Sequence, residues 1–290
     1  MNFKDVASVL NFAAFRPEPD DCSASWKRRY PGKKNLMVGV NRAGLSWKAI
    51  GRNGNPVDGE SFKGDTKELF SQLALQAKDM SDDGWIAISL NTRYVVSLET
   101  NLSRRPGSED IIKSTPRTVL GARYERGKAY AVTHNPESNT SILLAYDEDH
   151  IRKLETMVRE ADLQIGRICC GTYVLLTHAL QQTNNVKGGE AEARSFFYVV
   201  CCQGSVLALI QDADRWVELR SRTDVYDEDM EPVLEILEPF KSRIKPEMEV
   251  VVISDQPQPQ LVAGIEAMLP GYRIRDLATP DLLWSLIYQG

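Results

Sequence analysis

Two stretches of this chain read as the same succession of elements, three strands, a helix and a strand. That repetition constrains the fold more than any single motif. In the first half, Leu36 to Val40 and Leu45 to Ile50 alternate like strands joined by a turn through Asn41 to Gly44. Gly51 to Pro56 is a second turn, before a third strand from Val57 to Lys63. Asp65 or Thr66 caps a helix running to Met80, with Leu69, Leu73 and Ala77 on one face, and Trp85 to Leu90 is a compact strand. In the second half Phe196 to Cys202, Val206 to Gln211 and Trp216 to Arg222 form another meander. A helix from Asp227 to Arg243 and a strand from Val250 to Ser254 follow it. The pattern predicts an α/β fold of two lobes, each a sheet covered by helices.

The remaining segments fit around these units. Ser141 to Tyr146 is an apolar strand followed by a helix from Asp147 to Ala161; Ile165 to Cys169 is a strand and Gly171 to Gln182 a helix. A helix over Pro259 to Leu269, a strand over Tyr272 to Leu277 and a helix from Pro280 complete the second half. The expected organisation is an N-terminal extension over 1–35, a first lobe over 36–163 and a second lobe over 164–290. A subdomain is inserted into the first lobe at about 91–140. Within the extension, Val6, Val9, Leu10, Phe12, Ala13 and Phe15 share a helical face ahead of a basic run, Lys27 to Lys34. This reads either as a segment on a membrane surface or as one packed on the body or on a neighbouring chain.

At 290 residues the chain exceeds what one core usually serves, in keeping with two lobes. A formal charge of −5 argues against a dedicated nucleic-acid binder. Two vicinal pairs, Cys169-Cys170 and Cys201-Cys202, sit in apolar stretches without the C-x-x-C spacing of a zinc site, and read as buried structural thiols. His134, His150 and His178 are scattered. Ser254-Asp255 lacks the flanking glycines of a nucleophile elbow. No stretch approaches the length of a membrane helix, and the sequence predicts a cytoplasmic chain.

The segment Val38-Gly-Val-Asn-Arg-Ala-Gly-Leu-Ser-Trp-Lys48 resembles the first phosphate loop of the PilM and GspL group. These are actin-like cytoplasmic components of type IV pilus and type II secretion machines. Ser141 to Leu180 is similar to the same group in its order of elements. Tyr198 to Leu209 stands at the second phosphate loop, Val251 to Asp255 at the strand that meets the nucleoside, and Trp284 to Gly290 resembles the close of GspL cytoplasmic domains. The resemblance covers 36–290 and lies in the order of motifs more than in identities. It implies the duplicated actin-like (RNase H-like) fold with mixed five-stranded sheets. It also implies a nucleotide cleft lined by Asn41, Arg42, Gly44, Lys48, Gln203, Gly204, Ser205 and Ser254.

That cleft departs from the group's nucleotide-binding pattern. Asn41 stands where an aspartate would hold magnesium through water, and a neutral amide pulls less on a hard cation. Arg42 and Ala43 replace a tight glycine turn, Cys202-Gln-Gly-Ser205 replaces an acid and glycine pair, and two prolines in Ser254 to Pro259 remove donors. The resemblance therefore implies a non-catalytic scaffold without catalytic residues, metal or cofactor, at the cytoplasmic face of a bacterial inner membrane. It would join an assembly ATPase to PilN-like or GspM-like membrane proteins. A homodimer, and an anchor beyond Gly290, also fit. The acidic helix from Asp227 and the inserted region are candidate docking surfaces. The alternative is an ATP-binding protein or weak ATPase, in which Asn41, Lys48, Gly204 and Ser205 hold the phosphates of Mg-ATP.

Overall fold

The computed structural model describes residues 35–40, 44–50, 56–77, 85–100, 112, 114–134, 141–184, 195–212, 215–225 and 230–289. The first lobe is built on strands β1 (Asn35–Val40), β2 (Gly44–Ile50), β3 (Pro56–Lys63), β4 (Trp85–Leu90) and β8 (Gln164–Cys170), in the spatial order β3-β2-β1-β4-β8. The second uses β9 (Phe196–Cys202), β10 (Ser205–Asp212), β11 (Arg215–Thr223), β12 (Glu249–Ser254) and β13 (Arg273–Asp276), in the order β11-β10-β9-β12-β13. In both sheets the first three strands form an antiparallel meander and the last two add in parallel beside its first strand. The two sheets thus have one topology, as the repeated sequence pattern requires.

Helices repeat as well. In lobe I, α1 (Thr66–Ala77) and α3 (Glu148–Glu160) cover the outer face; in lobe II, α5 (Glu231–Leu237) and α6 (Pro259–Met268) do so. Between the sheets lie α4 (Gly171–Asn184), which follows the last strand of lobe I, and α7 (Leu282–Gln289), which follows the last strand of lobe II. Local sequence sets the helix starts. The Asp147 carboxylate accepts the His150 N–H at 3.0 Å, with Glu148 and Asp149 in the first turn, where the helix dipole favours anions. Asp65 accepts the Lys67 N–H in the same way ahead of α1.

Three cores result. One is the outer face of sheet I, where Leu36, Val38, Trp47, Ile86 and Ile88 meet Leu69, Phe70, Leu73, Leu154 and Val158. Its counterpart in lobe II brings Phe197, Val199, Ala208 and Val252 against Val233, Leu237, Leu261 and Ile265. The third belongs to both lobes: Met37, Ile50 and Ala87 share it with Tyr198, Val200, Leu207 and Ile253 through Leu175, Leu176, Trp284 and Ile287. Strands β9 and β12 are buried along their whole length because helices cover both faces, which explains their unbroken apolar sequences.

The topology revises several boundaries. Residues 164–170 pair with β4, so the second lobe does not begin at 164; the first sheet closes with Cys170. The insertion runs further than 140. β7 (Ser141–Asp147) is the middle strand of a small sheet, β5-β7-β6, with β5 (Val95–Thr100) and β6 (Lys128–His134), and belongs to the insertion between β4 and α3. That segment also holds the short helix α2 (Pro116–Leu120), not evident in the sequence. At the corresponding place in lobe II only residues 255–258 separate β12 from α6. The helix expected over 227–243 is the shorter α5 followed by a 3-10 turn at Glu238–Phe240. The N-terminal extension lies outside the described residues, except Asn35, which opens β1.

Candidate functional site at the junction of the lobes

Strand β1 carries one glycine among apolar residues, Gly39, and β4 ends in Ser89-Leu90, followed by Asn91. Opposite them, β9 and β10 are joined by the tight turn Gln203-Gly204, whose two residues have φ of 49° and 74°. Gly204 needs that left-handed conformation, whereas Gln203 adopts it at some cost. The turn is held by the Asp255 carboxylate, which accepts the Gln203 N–H at 3.0 Å, and by the Val225 N–H, which donates to the Gly204 carbonyl at 3.0 Å.

So held, the Gln203 side chain crosses into lobe I. Its Oε1 accepts the Ser89 hydroxyl at 2.9 Å, and a Cβ on Gly39 would lie 2.0 Å from its Nε2. The amide fills the space that the missing side chain of Gly39 leaves. Gln203 is buried, and among the described residues its Nε2 finds no acceptor. The next residue repeats the crossing: buried Ser205 accepts the Thr92 N–H on its Oγ at 3.2 Å. At the rim Arg93 faces Asp224 at 3.9 Å. Behind this contact Gly171 opens α4, and a Cβ there would meet the Ser89 hydroxyl at 2.5 Å and the Cys202 Sγ at 2.8 Å. Two further ties join the lobes through α7. Lys48 pairs with Asp281 at 3.0 Å, and the Arg167 guanidinium donates to the Ile287 carbonyl at 2.8 Å.

Of the residues expected to line a cleft, Gln203, Gly204 and Ser205 stand at this junction. Gly44 instead lies against β3, where a Cβ would meet the Phe62 carbonyl at 1.9 Å. Lys48 is engaged by Asp281, its chain laid across Gly59. Ser254 donates its hydroxyl to the Gln256 carbonyl at 2.5 Å and shapes the turn after β12. Asn41 and Arg42 fall outside the described residues. Sequence reasoning passed over Gly39, Ser89, Thr92 and Gly171. Gly39 carried a readable signal, because glycine inside a strand marks a close backbone approach.

The groups gathered here are hydroxyls, amides and backbone, with Asp255 already committed to Gln203. Burial pushes the Cys170 thiol up to about 12 and the Cys202 thiol well above its ordinary value, so neither supplies a thiolate. Among the described residues no cluster of histidine, cysteine and carboxylate side chains could hold a metal ion. A phosphate entering between β1 and the β9–β10 turn would have to displace Gln203.

No protein-family model matches the sequence, and a search of curated proteins finds no match. Solved structures do match. The cytoplasmic domain of EpsL, an inner membrane component of the type II secretion system of Vibrio cholerae, aligns with a TM-score of 0.54 at 10% identity, covering 88% of this chain and 93% of that one. The PilM-PilN type IV pilus biogenesis complex aligns with a TM-score of 0.57 at 11% identity, covering 88% of this chain and 97% of that one. At such identities the likeness is one of fold. No helix of the described residues is long and apolar enough to cross a membrane. The chain has the duplicated, two-lobed actin-like fold, of the PilM and GspL type that the motif order suggested.

Proposed function

We propose that this protein is a non-catalytic scaffold of a bacterial pilus or type II secretion assembly platform, working at the cytoplasmic face of the inner membrane. It would link an assembly ATPase to membrane components of the PilN or GspM kind. The observation that carries the reading is the seating of Gln203 against Gly39 and Ser89, which fills the inter-lobe space with the protein's own side chain. A body whose lobes are latched by Gln203–Ser89, Ser205–Thr92 and Lys48–Asp281 transmits position between partners bound on different faces. The shared fold with EpsL and with PilM in its complex with PilN supports the same reading.

Two measurements test it. Thermal melting with and without Mg-ATP should give the same midpoint up to millimolar nucleotide, because a ligand bound only by the native state would raise it. A concentration-dependent rise would favour the alternative, an ATP-binding protein or weak ATPase. Co-purification with a PilN-type protein and an assembly ATPase of the same cell should give a stable complex without nucleotide. No complex with either would overturn the platform role.

A further inference from the structure

The insertion leaves lobe I where β4 ends, and its first residues face lobe II. Asn91 is buried, and its side-chain oxygen accepts the Arg93 N–H at 3.2 Å, which starts a 3-10 turn over Thr92–Tyr94. That turn lies against β11. The Thr92 N–H donates to the Ser205 hydroxyl oxygen, and the Arg93 guanidinium faces Asp224. The stem of a segment that belongs to lobe I by sequence is thus fastened to lobe II.

The fastening uses backbone held in a costly form. Among the described residues four non-glycine positions are left-handed: Asp162, Gln203, Asp224 and Asp281. Asp162 follows α3, and the other three all reach across to lobe I, at Ser89, Arg93 and Lys48. Left-handed backbone outside glycine persists where the surroundings hold it and relaxes when they let go. Gln203 and Asp224 are also tied to one another, because the Val225 N–H donates to the Gly204 carbonyl. Their two contacts with lobe I therefore engage or release as a unit.

Beyond the stem, Val95, Leu144 and Tyr146 bring one face of the β5-β7-β6 sheet into the core shared by both lobes, where Tyr198 and Leu209 belong to lobe II. The opposite face is served by a small core of Ile112, Tyr130, Leu143 and Ala145. Three strands with so small a core of their own draw their order from what they rest on. We propose that the insertion is a relay on lobe II: the Thr92–Tyr94 turn couples the order of the β5-β7-β6 sheet to that of the Gln203–Ser205 turn. The bistable part is the pair Gln203 and Asp224, strained when engaged and relaxed when released. Such coupling is reciprocal, so an event on the insertion biases the junction as much as the junction biases the insertion. The inference is independent of the platform reading, since it concerns how two parts of the chain communicate and not the machine they serve.

The test is native-state hydrogen exchange on the whole chain. Combining Ser205→Ala with Asp224→Asn removes both ties from the lobe II side and leaves the insertion's own sequence intact; asparagine still adopts the left-handed backbone. Amides of β5 and β7 should then exchange at least about threefold faster than in the parent, while those of β1 and β2 keep the parent rate. Ile265→Val loosens the outer core of lobe II away from the turn and serves as the control; it should leave β5 and β7 unchanged. In the reverse direction, Leu143→Val inside the insertion should quicken exchange of the Gln203 and Val225 amides. This reverse arm decides the question by itself should the double variant fail to fold. Unchanged β5 and β7 in a folded double variant, an equal effect from Ile265→Val, or a Leu143→Val effect confined to the insertion would each overturn the relay.

Discussion

The amide nitrogen of Gln203 occupies the space left by the missing side chain of Gly39 across the two lobes: a β-carbon on Gly39 would sit 2.0 Å from the Gln203 Nε2. Gly39→Ala should therefore destabilise the protein by about 1–3 kcal/mol through overpacking. Gln203→Ala alone loses the Ser89 bond, yet in the double variant it makes room for the new methyl. The two changes should couple by about 1 kcal/mol or more, read from denaturant unfolding of the four proteins. Additivity would mean that Gln203 is not seated where described.

Helix α7 is the second fastening. Leu283, Trp284 and Ile287 are buried in the core shared by both sheets. Trp284→Ala should cost about 3–5 kcal/mol and Ile287→Ala about 2–5 kcal/mol. Limited proteolysis should then cut between the lobes sooner than in the parent. A loss below about 0.5 kcal/mol for Trp284→Ala would show that the helix is dispensable to the core.

Acid should weaken the fold in two windows. Desolvation lowers the pKa of both His150 and His178, so as pH falls below about 6.5 the unfolded chain takes up protons first and stability drops until the folded imidazoles also titrate. Asp147 and Asp212 are held below the usual carboxylate range. For Asp147 the cause is the His150 N–H; for Asp212 it is Lys245 and then Ser195. Their contribution is present above the ordinary carboxylate value and is lost as pH falls through the lowered one. Combining His150→Gln with His178→Gln should flatten the pH dependence between about 5 and 7 and leave the lower window intact. An unchanged slope in that variant would refute the assignment.

The thiols give an independent reading of burial. Cys169, Cys170, Cys201 and Cys202 are buried thiols outside any disulfide. In a Cys22→Ser background, an aromatic disulfide reagent at mildly alkaline pH should label these four only as fast as the protein opens, and completely once it is denatured. Rapid labelling of the native protein would place them at an accessible surface.

How much of this was legible in the sequence varies by element. β9 and β12 announced themselves as unbroken apolar strands, and α3 by its Asp147 cap and the stripe of Ile151, Leu154 and Val158, because in those places local pattern and final environment agree. The partner of β8 was not legible. Its residues specify a strand, but the pairing with β4 is set by the crossover through the insertion and α3, which no local pattern encodes. Gln203 shows the same limit at the site. A glutamine before a glycine reads as an ordinary solvated turn, and only the opposing Gly39 and Ser89, far away in sequence, turn it into a buried contact. Lys48 read as a phosphate ligand because nothing local indicated that Asp281 would reach it.

The two halves share one strand order, but only the first carries extra chain between its fourth strand and the helix that follows. The insertion gives one lobe a surface that the other lacks, so a repeat that would otherwise make the two ends alike leaves a body whose ends can be told apart.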